Sequence, residues 1–428
     1  MYEGMIGKFL GATFDSRLVK PGMLYVALKG ENTDGHRFVA AALKAGAALA
    51  LVRRDWPAPA EVDETRLARV DDPRLALGEI AREYRLTLGA TVIGVTGSAG
   101  KTTVKEMTAA FLRASGRRVH ATAGNFNNDL GLPITILGCP ADADFLVVEM
   151  GTNHPGEIAR LVDIARPDVG LISSIGTAHI EFFKSQDGIA EEKGTLFARL
   201  GLAGRAKSTG SFAVLAREND RYAKLVGMSS VPVKTVSFAD QEAAAFAEKL
   251  ERRLPGRHNV LNAMIAYGCA REFGASLDSC LAALDSFTLP GGRWRMVEKG
   301  GVTYFDDTYN ANPTSMMAAL ETFAGIKAER HLAVLGDMFE LGEDSARFHR
   351  EVGARAGSLP IDELVCVGES SAREMAPAAR GAGGSLRIQT AVDAAAAAAL
   401  VKPMVRPGDV VLVKASHGMH LDQVIEAV

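Results

Sequence analysis

The chain has 428 residues, of which 48 are basic and 51 acidic, giving a net charge of −3, with 47% hydrophobic and 23% charged residues. That length exceeds what one core accommodates, so two or three domains are expected, and the balanced charge leaves no footprint for nucleic acid or an anionic membrane. The four cysteines stand singly, without a Cys-x-x-Cys pair, which argues against a zinc or disulfide framework and suits a reducing, cytoplasmic setting; there is no signal-peptide pattern, and no apolar run approaches the ~20 residues that span a bilayer.

Residues 1–88 read as a small α/β domain. Met23 to Leu28 is a strand candidate, Phe38 to Gly46 a short alanine-rich helix, and Ala47 to Val52 a second strand. Asp15-Ser16-Arg17 and Asp34-Gly35-His36 lie in loops, and turn and cap chemistry explains each taken alone.

Residues 89–292 open on an apolar β-branched run, Val92 to Thr96. It enters the turn Gly97-Ser98-Ala99-Gly100, and Lys101-Thr102-Thr103 then leads into a helical pattern, Val104 to Leu112. Strand, glycine turn and helix start, in that order, are what a phosphate loop needs. Backbone N–H groups and the helix N-terminus face the anion, Lys101 adds an ammonium, and the Thr102 hydroxyl suits Mg²⁺. The spacing is unusual, since Val95 stands where the common pattern has its first glycine. The loop Gly124 to Gly131 carries Asn125, Asn127 and Asn128, which suit either a turn or contacts with phosphate and sugar oxygens. Phe145 to Val148 is a buried-strand run ending in Glu149, where a Mg²⁺-directed carboxylate belongs. Val169 to Ile175 is a further strand, and His179 follows its end as either ligand or structural histidine. The helix Asp187 to Leu200 carries Glu191, Glu192 and Lys193, a cluster that normally marks a solvated face. Within the stretch Arg205 to Leu254, Phe212 to Leu215 and Val233 to Phe238 read as strands and Gln241 to Leu254 as a helix. Gly256-Arg257-His258-Asn259 starts another helix, and Pro290-Gly291-Gly292 is a hinge candidate.

Residues 293–428 alternate again. Strands are expected at Val302 to Phe305, His331 to Leu335, Leu364 to Val367 and Val410 to Val413, and helices at Pro313 to Phe323, Ser345 to Ala356 and Ala391 to Val401. This alternation predicts a mostly parallel sheet covered on both faces. Polar groups follow the strand ends, where open α/β sheets bind ligands.

Taken together, these motifs resemble the Mur ligase family, and most closely its MurF branch, whose members join D-alanyl-D-alanine to UDP-N-acetylmuramoyl-tripeptide. The resemblance covers nearly the whole chain. It rests on Asp15-Ser16-Arg17, Thr96 to Thr102, Gly124 to Asn128, Glu149-Met150-Gly151, Gly176 to Glu181, Lys193-Gly194, Gly256 to Asn259, and above all on Tyr309-Asn310-Ala311-Asn312-Pro313 and Gly336-Asp337-Met338-Phe339-Glu340-Leu341-Gly342.

The resemblance implies three α/β domains: a UDP-substrate domain (1–88), a central P-loop ATPase domain (89–292) and a C-terminal Rossmann-like domain (293–428). It implies ATP-dependent amide ligation through an acyl phosphate in peptidoglycan precursor synthesis, two Mg²⁺ ions and a cytoplasmic enzyme; nothing demands more than a monomer. By the same resemblance, Gly97, Ser98, Ala99, Gly100, Lys101, Thr102 and Thr103 hold the phosphates, with Asn259, Asn262, Arg293 and Asp307 toward the rest of ATP. Thr102, Glu149, His179 and Lys193 face metal, Lys193 as a carbamate, and Lys101, His179 and Lys193 serve catalysis. Ser16, Arg17, Asn125, Asn127 and Asn128 meet the nucleotide substrate, while Asn310, Asn312 and Asp337 line the dipeptide side.

The chain departs from the family pattern in three places. The stretch between Phe238 and Arg257 is short, Ala216 to Asp220 replaces the usual Asn-Ala-Asp-Asp turn, and Lys414-Ala415-Ser416-His417 with His420 replaces two usual arginines. A histidine neither carries a permanent charge nor forks to an anion as arginine does. A sister ligase with another amine acceptor, or a nucleotide-binding homologue that has lost ligation, therefore stays open beside the main reading.

Overall fold

The computed structural model describes residues 3–30, 33–201, 210–251, 253–383 and 385–428; the start of the Arg205 to Leu254 stretch lies outside them. Three α/β units follow one another, each built on its own sheet. The first holds β1 (Ala12–Thr13), β2 (Leu24–Val26), α1 (Val39–Lys44), β3 (Leu49–Arg53) and β4 (Leu67–Val70), paired in parallel in that order. It ends in α2 (Pro73–Thr87), which starts with proline behind Asp72, whose carboxylate accepts the Arg74 and Leu75 N–H groups.

The central unit runs β5 (Thr91–Thr96), α3 (Lys101–Ala114), β6 (Val119–Ala121), α4 (Gly131–Leu137), β7 (Phe145–Glu149), α5 (Glu157–Ala165), β8 (Val169–Ile172), α6 (Ile180–Phe183), α7 (Gln186–Ala198), β9 (Phe212–Ala216), α8 (Tyr222–Met228), β10 (Val233–Val236), α9 (Glu242–Leu250), α10 (Arg257–Ala270) and α11 (Leu277–Ala283). Its parallel sheet has the order β10-β9-β8-β5-β7-β6. With β7 and β8 on its two sides, the connections leaving β5 diverge and open a crevice at the strand ends.

The C-terminal unit comprises β11 (Arg295–Lys299), β12 (Val302–Asp307), α12 (Pro313–Ala324), β13 (Arg330–Gly336), α13 (Ser345–Ser358), β14 (Glu363–Val367), α14 (Ala376–Gly381), β15 (Arg387–Ala391), α15 (Ala394–Met404), β16 (Asp409–Lys414) and α16 (Asp422–Ala427). The sheet order is β11-β12-β16-β13-β14-β15, and β11 is its antiparallel edge. The expected helix from Ala391 needs correcting. Ala391 closes β15, and α15 begins only after Asp393, whose carboxylate accepts the Ala396 N–H.

The β7 side chains show how the units are joined. Phe145 and Val147 face a core that continues through α3 and α10 into the C-terminal unit. Leu146 and Val148 face one shared with Leu77 and Ile80 of α2. The second joint also contains a buried ion pair, Arg85 to Asp168 at 2.8 Å. Among the described residues no helix is long and apolar enough to cross a membrane.

Candidate active site

The loop between β5 and α3 is shaped by its glycines. Gly100, the N-cap of α3, has φ 79°, and a Cβ there would lie 2.6 Å from Asn262 Oδ1; one on Gly97 would lie 2.0 Å from Ser173 Oγ. The two serines after β8 hold the loop. Ser173 Oγ donates to Ala99 O at 2.5 Å, and Ser174 Oγ accepts the Ala99 N–H at 3.0 Å. Lys101 folds back so that its ammonium donates to Gly97 O at 2.9 Å. Desolvation draws its amine below the ordinary lysine range, Glu149 opposes that shift, and Arg293 adds to it.

Glu149 ends β7 almost fully buried, and both its oxygens are engaged. Oε2 accepts from Thr102 Oγ1 at 2.8 Å and Oε1 from Asn127 Nδ2 at 2.9 Å. Asn127 is thereby a support for Glu149, a role its place in an asparagine loop did not announce. Asn128 caps α4, its Oδ1 accepting from Leu130 N and Gly131 N, and Asn125 stands exposed on the cleft. A hydroxyl and a carboxylate side by side are the hard oxygen donors that Mg²⁺ takes when phosphates and water complete its shell. Among the described residues no group of three His, Cys, Asp or Glu side chains forms a closed metal cage.

The solvated-face reading of α7 is overturned. Glu191 is exposed, but Glu192 is buried, its carboxylate accepting Ile158 N at 2.7 Å and Gly156 N at 2.8 Å, and Lys193 is 1% exposed. Burial first, and then the Lys101 charge, push the Lys193 amine well below the ordinary lysine range. A neutral amine is the form that attacks CO₂.

His179 caps α6 in left-handed backbone, and its Nδ1 lies 2.5 Å from Glu340 Oε2 of the C-terminal unit. That contact, foremost, pulls the Glu340 carboxyl below its ordinary range. Asn259 and Asn262 are buried at the start of α10, joined by a 3.3 Å hydrogen bond, and the Arg293 guanidinium lies 3.4 Å above the Tyr309 ring. Asp307 accepts from Lys414 Nζ at 2.6 Å and from Trp294 N at 3.2 Å. Asn310 Oδ1 accepts from Ala311 N, and Asn312 caps α12.

These residues, from Lys101 and Glu149 to His179, Asn262, Asp307 and Asn312, line one cavity of about 920 Å³ between the central and C-terminal units. Five expected site residues do not line it: Gly97, Lys193, Ser16, Arg17 and Asp337. Lys193 lies buried, with the Lys101 charge acting on it. Ser16 and Arg17 sit on the first unit, where Arg17 pairs with Asp15 at 2.6 Å and holds that carboxyl down to about 2. This loop approaches the asparagine loop through Phe14 and Phe126, ring centroids 6.2 Å apart. The Asp337 oxygens accept Ser371 N at 2.7 Å and Ser370 N at 3.2 Å, so this carboxylate caps the helical segment that follows β14.

Residue-by-residue reading of the sequence missed Glu340 opposite His179, Lys414 on Asp307, and Asp129, which holds both Arg74 (2.6 Å) and Arg160 (2.9 Å) at the cleft. Glu340 and Lys414 stand inside quoted motifs; the arginines carry no local signal. His417 and His420 are exposed, with ring centroids 6.0 Å apart, and His417 lies 5.8 Å from Tyr309.

Comparison with known proteins gives three matches along the chain: residues 9–85 to the Mur ligase family, catalytic domain; 95–270 to the Mur ligase middle domain; and 292–417 to the Mur ligase, glutamate ligase domain. UDP-N-acetylmuramoyl-tripeptide--D-alanyl-D-alanine ligase of Escherichia coli is 38% identical over 84% of this chain and 81% of its own length. The Bacillus subtilis enzyme of that name is 35% identical over 97% and 92%. Among solved structures, MurF from Acinetobacter baumannii superposes with a TM-score of 0.82 at 30% identity, covering 97% of this chain and 92% of its own. MurF ligase from Thermotoga maritima in complex with ADP gives 0.78 at 29%, covering 98% and 96%.

Proposed function

The chain belongs to the Mur ligase family, and on that premise we propose that it is an ATP-dependent ligase joining D-alanyl-D-alanine to UDP-N-acetylmuramoyl-tripeptide in peptidoglycan precursor synthesis. The observation that carries this reading is the Asn127–Glu149–Thr102 relay beside Lys101, facing the C-terminal unit across one cleft.

A tripeptide carboxylate oxygen attacks the γ-phosphorus of ATP, the bond to the β-phosphate oxygen breaks, and an acyl phosphate and ADP result. The free amine of the dipeptide then adds to the acyl carbon, loses its proton, and inorganic phosphate leaves from the tetrahedral intermediate. The loop amides from Gly97 to Lys101 and the Lys101 ammonium, released from Gly97 O, hold the transferring phosphate in place. Asn259, Asn262, Arg293 and Asp307 take the rest of the nucleotide. Thr102 and Glu149 would hold one Mg²⁺, and His179 with carbamylated Lys193 a second; the ions supply positive charge where negative charge develops. Ser16, Arg17, Asn125, Asn127 and Asn128 face the nucleotide substrate, and Asn310 and Asn312 the dipeptide. We place the enzyme in the cytoplasm, acting as a monomer.

A second reading, a sister ligase using another amine, draws on His417 and His420 beside Tyr309. One assay separates the two: phosphate release from ATP with UDP-N-acetylmuramoyl-tripeptide, with and without D-alanyl-D-alanine. Release that needs both, with pentapeptide nucleotide as product, supports the main reading. Release only with a different amine supports the sister ligase, and ATP binding without release under any amine refutes ligation.

A further inference from the structure

The segment Gly176–Glu181, which carries His179, is gripped by the C-terminal unit at several points. Thr177 Oγ1 lies 3.4 Å from Thr314 Oγ1 at the start of α12. A Cβ on Gly176 would come within 2.7 Å of that same Thr314 oxygen, and one on Gly342 within 3.1 Å of the Glu181 side chain. Between these contacts His179 Nδ1 meets Glu340 Oε2 at 2.5 Å. Both residues hold left-handed backbone, φ 59° in each, a conformation that side chains with a Cβ disfavour and that persists where the surroundings impose it. His179 Nδ1 is buried and makes no well-aligned hydrogen bond among the described residues, so the Glu340 carboxylate meets it as a close but misaligned contact.

We propose that Glu340 is a positioning residue for His179: from the C-terminal unit it holds Nδ1, leaves Nε2 as the ring nitrogen free to serve the cleft, and so completes the reacting centre only when the two units are together. A carboxylate on the far nitrogen of an imidazole fixes both its tautomer and its orientation. The inference rests on the reading of His179 as part of the reacting centre.

The test uses the full-length enzyme and the variants Glu340→Ala, Glu340→Gln, His179→Ala and the double alanine variant. The first readout is hydrogen exchange of residues 176–181 without nucleotide; the second is kcat against KM for ATP and dipeptide. Glu340→Ala is expected to lose protection at 176–181 and to lower kcat roughly 10–100-fold with the ATP KM unchanged. Glu340→Gln, which keeps an oxygen acceptor for Nδ1–H, is expected to lose less. The double variant is expected to be no slower than His179→Ala alone, because a residue acting only through His179 has nothing left to position. Losses that multiply in the double variant, or unchanged exchange and kcat in Glu340→Ala, overturn the proposal. Loosened exchange with normal kcat in both single variants instead overturns the role given to His179, and with it the positioning role, while the contact itself stands.

Discussion

The two ends of α3 offer a controlled measurement of what the phosphate loop requires. Gly100 at its start and Gly116 just past its end have φ 79° and 80°, so Gly→Ala at either forces a β-carbon into left-handed backbone, costing about 1–2 kcal/mol. Their surroundings differ. Nothing lies within 4 Å of a Cβ on Gly116, whereas one on Gly100 would meet Asn262 Oδ1 at 2.6 Å and Nδ2 at 3.0 Å. Asn262 must then move, breaking its 3.3 Å bond to Asn259 Oδ1 inside a buried site, for a further ~1–2 kcal/mol. The assay is thermal unfolding followed at the central unit, where about 2–4 °C is expected per kcal/mol, together with the KM for ATP. Gly116→Ala should lower the midpoint and leave the ATP KM unchanged. Gly100→Ala should lower the midpoint further and raise the ATP KM roughly tenfold or more, since 1.4 kcal/mol is a factor of ten. Equal midpoints with an unchanged ATP KM in both variants would refute the argument that Asn262 packs against this loop.

Three further outcomes are expected. Lys193 is buried with its amine drawn below 10.5, so the unfolded chain binds more protons between the folded value and 10.5, and stability rises with pH across that window. Lys193→Met in CO₂-free buffer should therefore be more stable than wild type at pH 7, with the gain shrinking toward pH 10.5; a pH-independent difference counts against a buried amine. Arg85→Ala leaves Asp168 buried without its guanidinium and should cost about 3–5 kcal/mol in urea unfolding, whereas Arg118→Ala, at an ion pair whose arginine side chain is 60% exposed, should cost under about 1 kcal/mol; similar losses would sink the contrast. Trp294 lines the cleft and Trp56 does not, so in a Trp56→Phe background ATP should change the emission of the remaining indole; a silent titration with ATP bound would place the nucleotide elsewhere.

Local patterns determined much of this protein. β5, the glycine turn and α3 were legible because strand, loop and helix start are contiguous, and Glu149 because it ends an apolar run. The alternation of the C-terminal third was legible for the same reason, but its edge strands were not: β11 and β15 carry few buried residues and so lack an apolar signature. Tertiary structure alone decided which polar side chains remain for ligands. Asp337 and Asn128 both look like site residues in sequence; in the fold the Asp337 oxygens and Asn128 Oδ1 accept backbone N–H groups, while Asn128 still lines the cleft. Lys193 looks like a surface lysine, yet packing buries it within reach of the Lys101 charge. Glu340 reaches His179 only because the C-terminal unit folds back onto the central one. A hydrogen bond or a desolvation shift depends on what the fold brings within a few ångströms, and for partners so distant in the chain no local pattern carries that information.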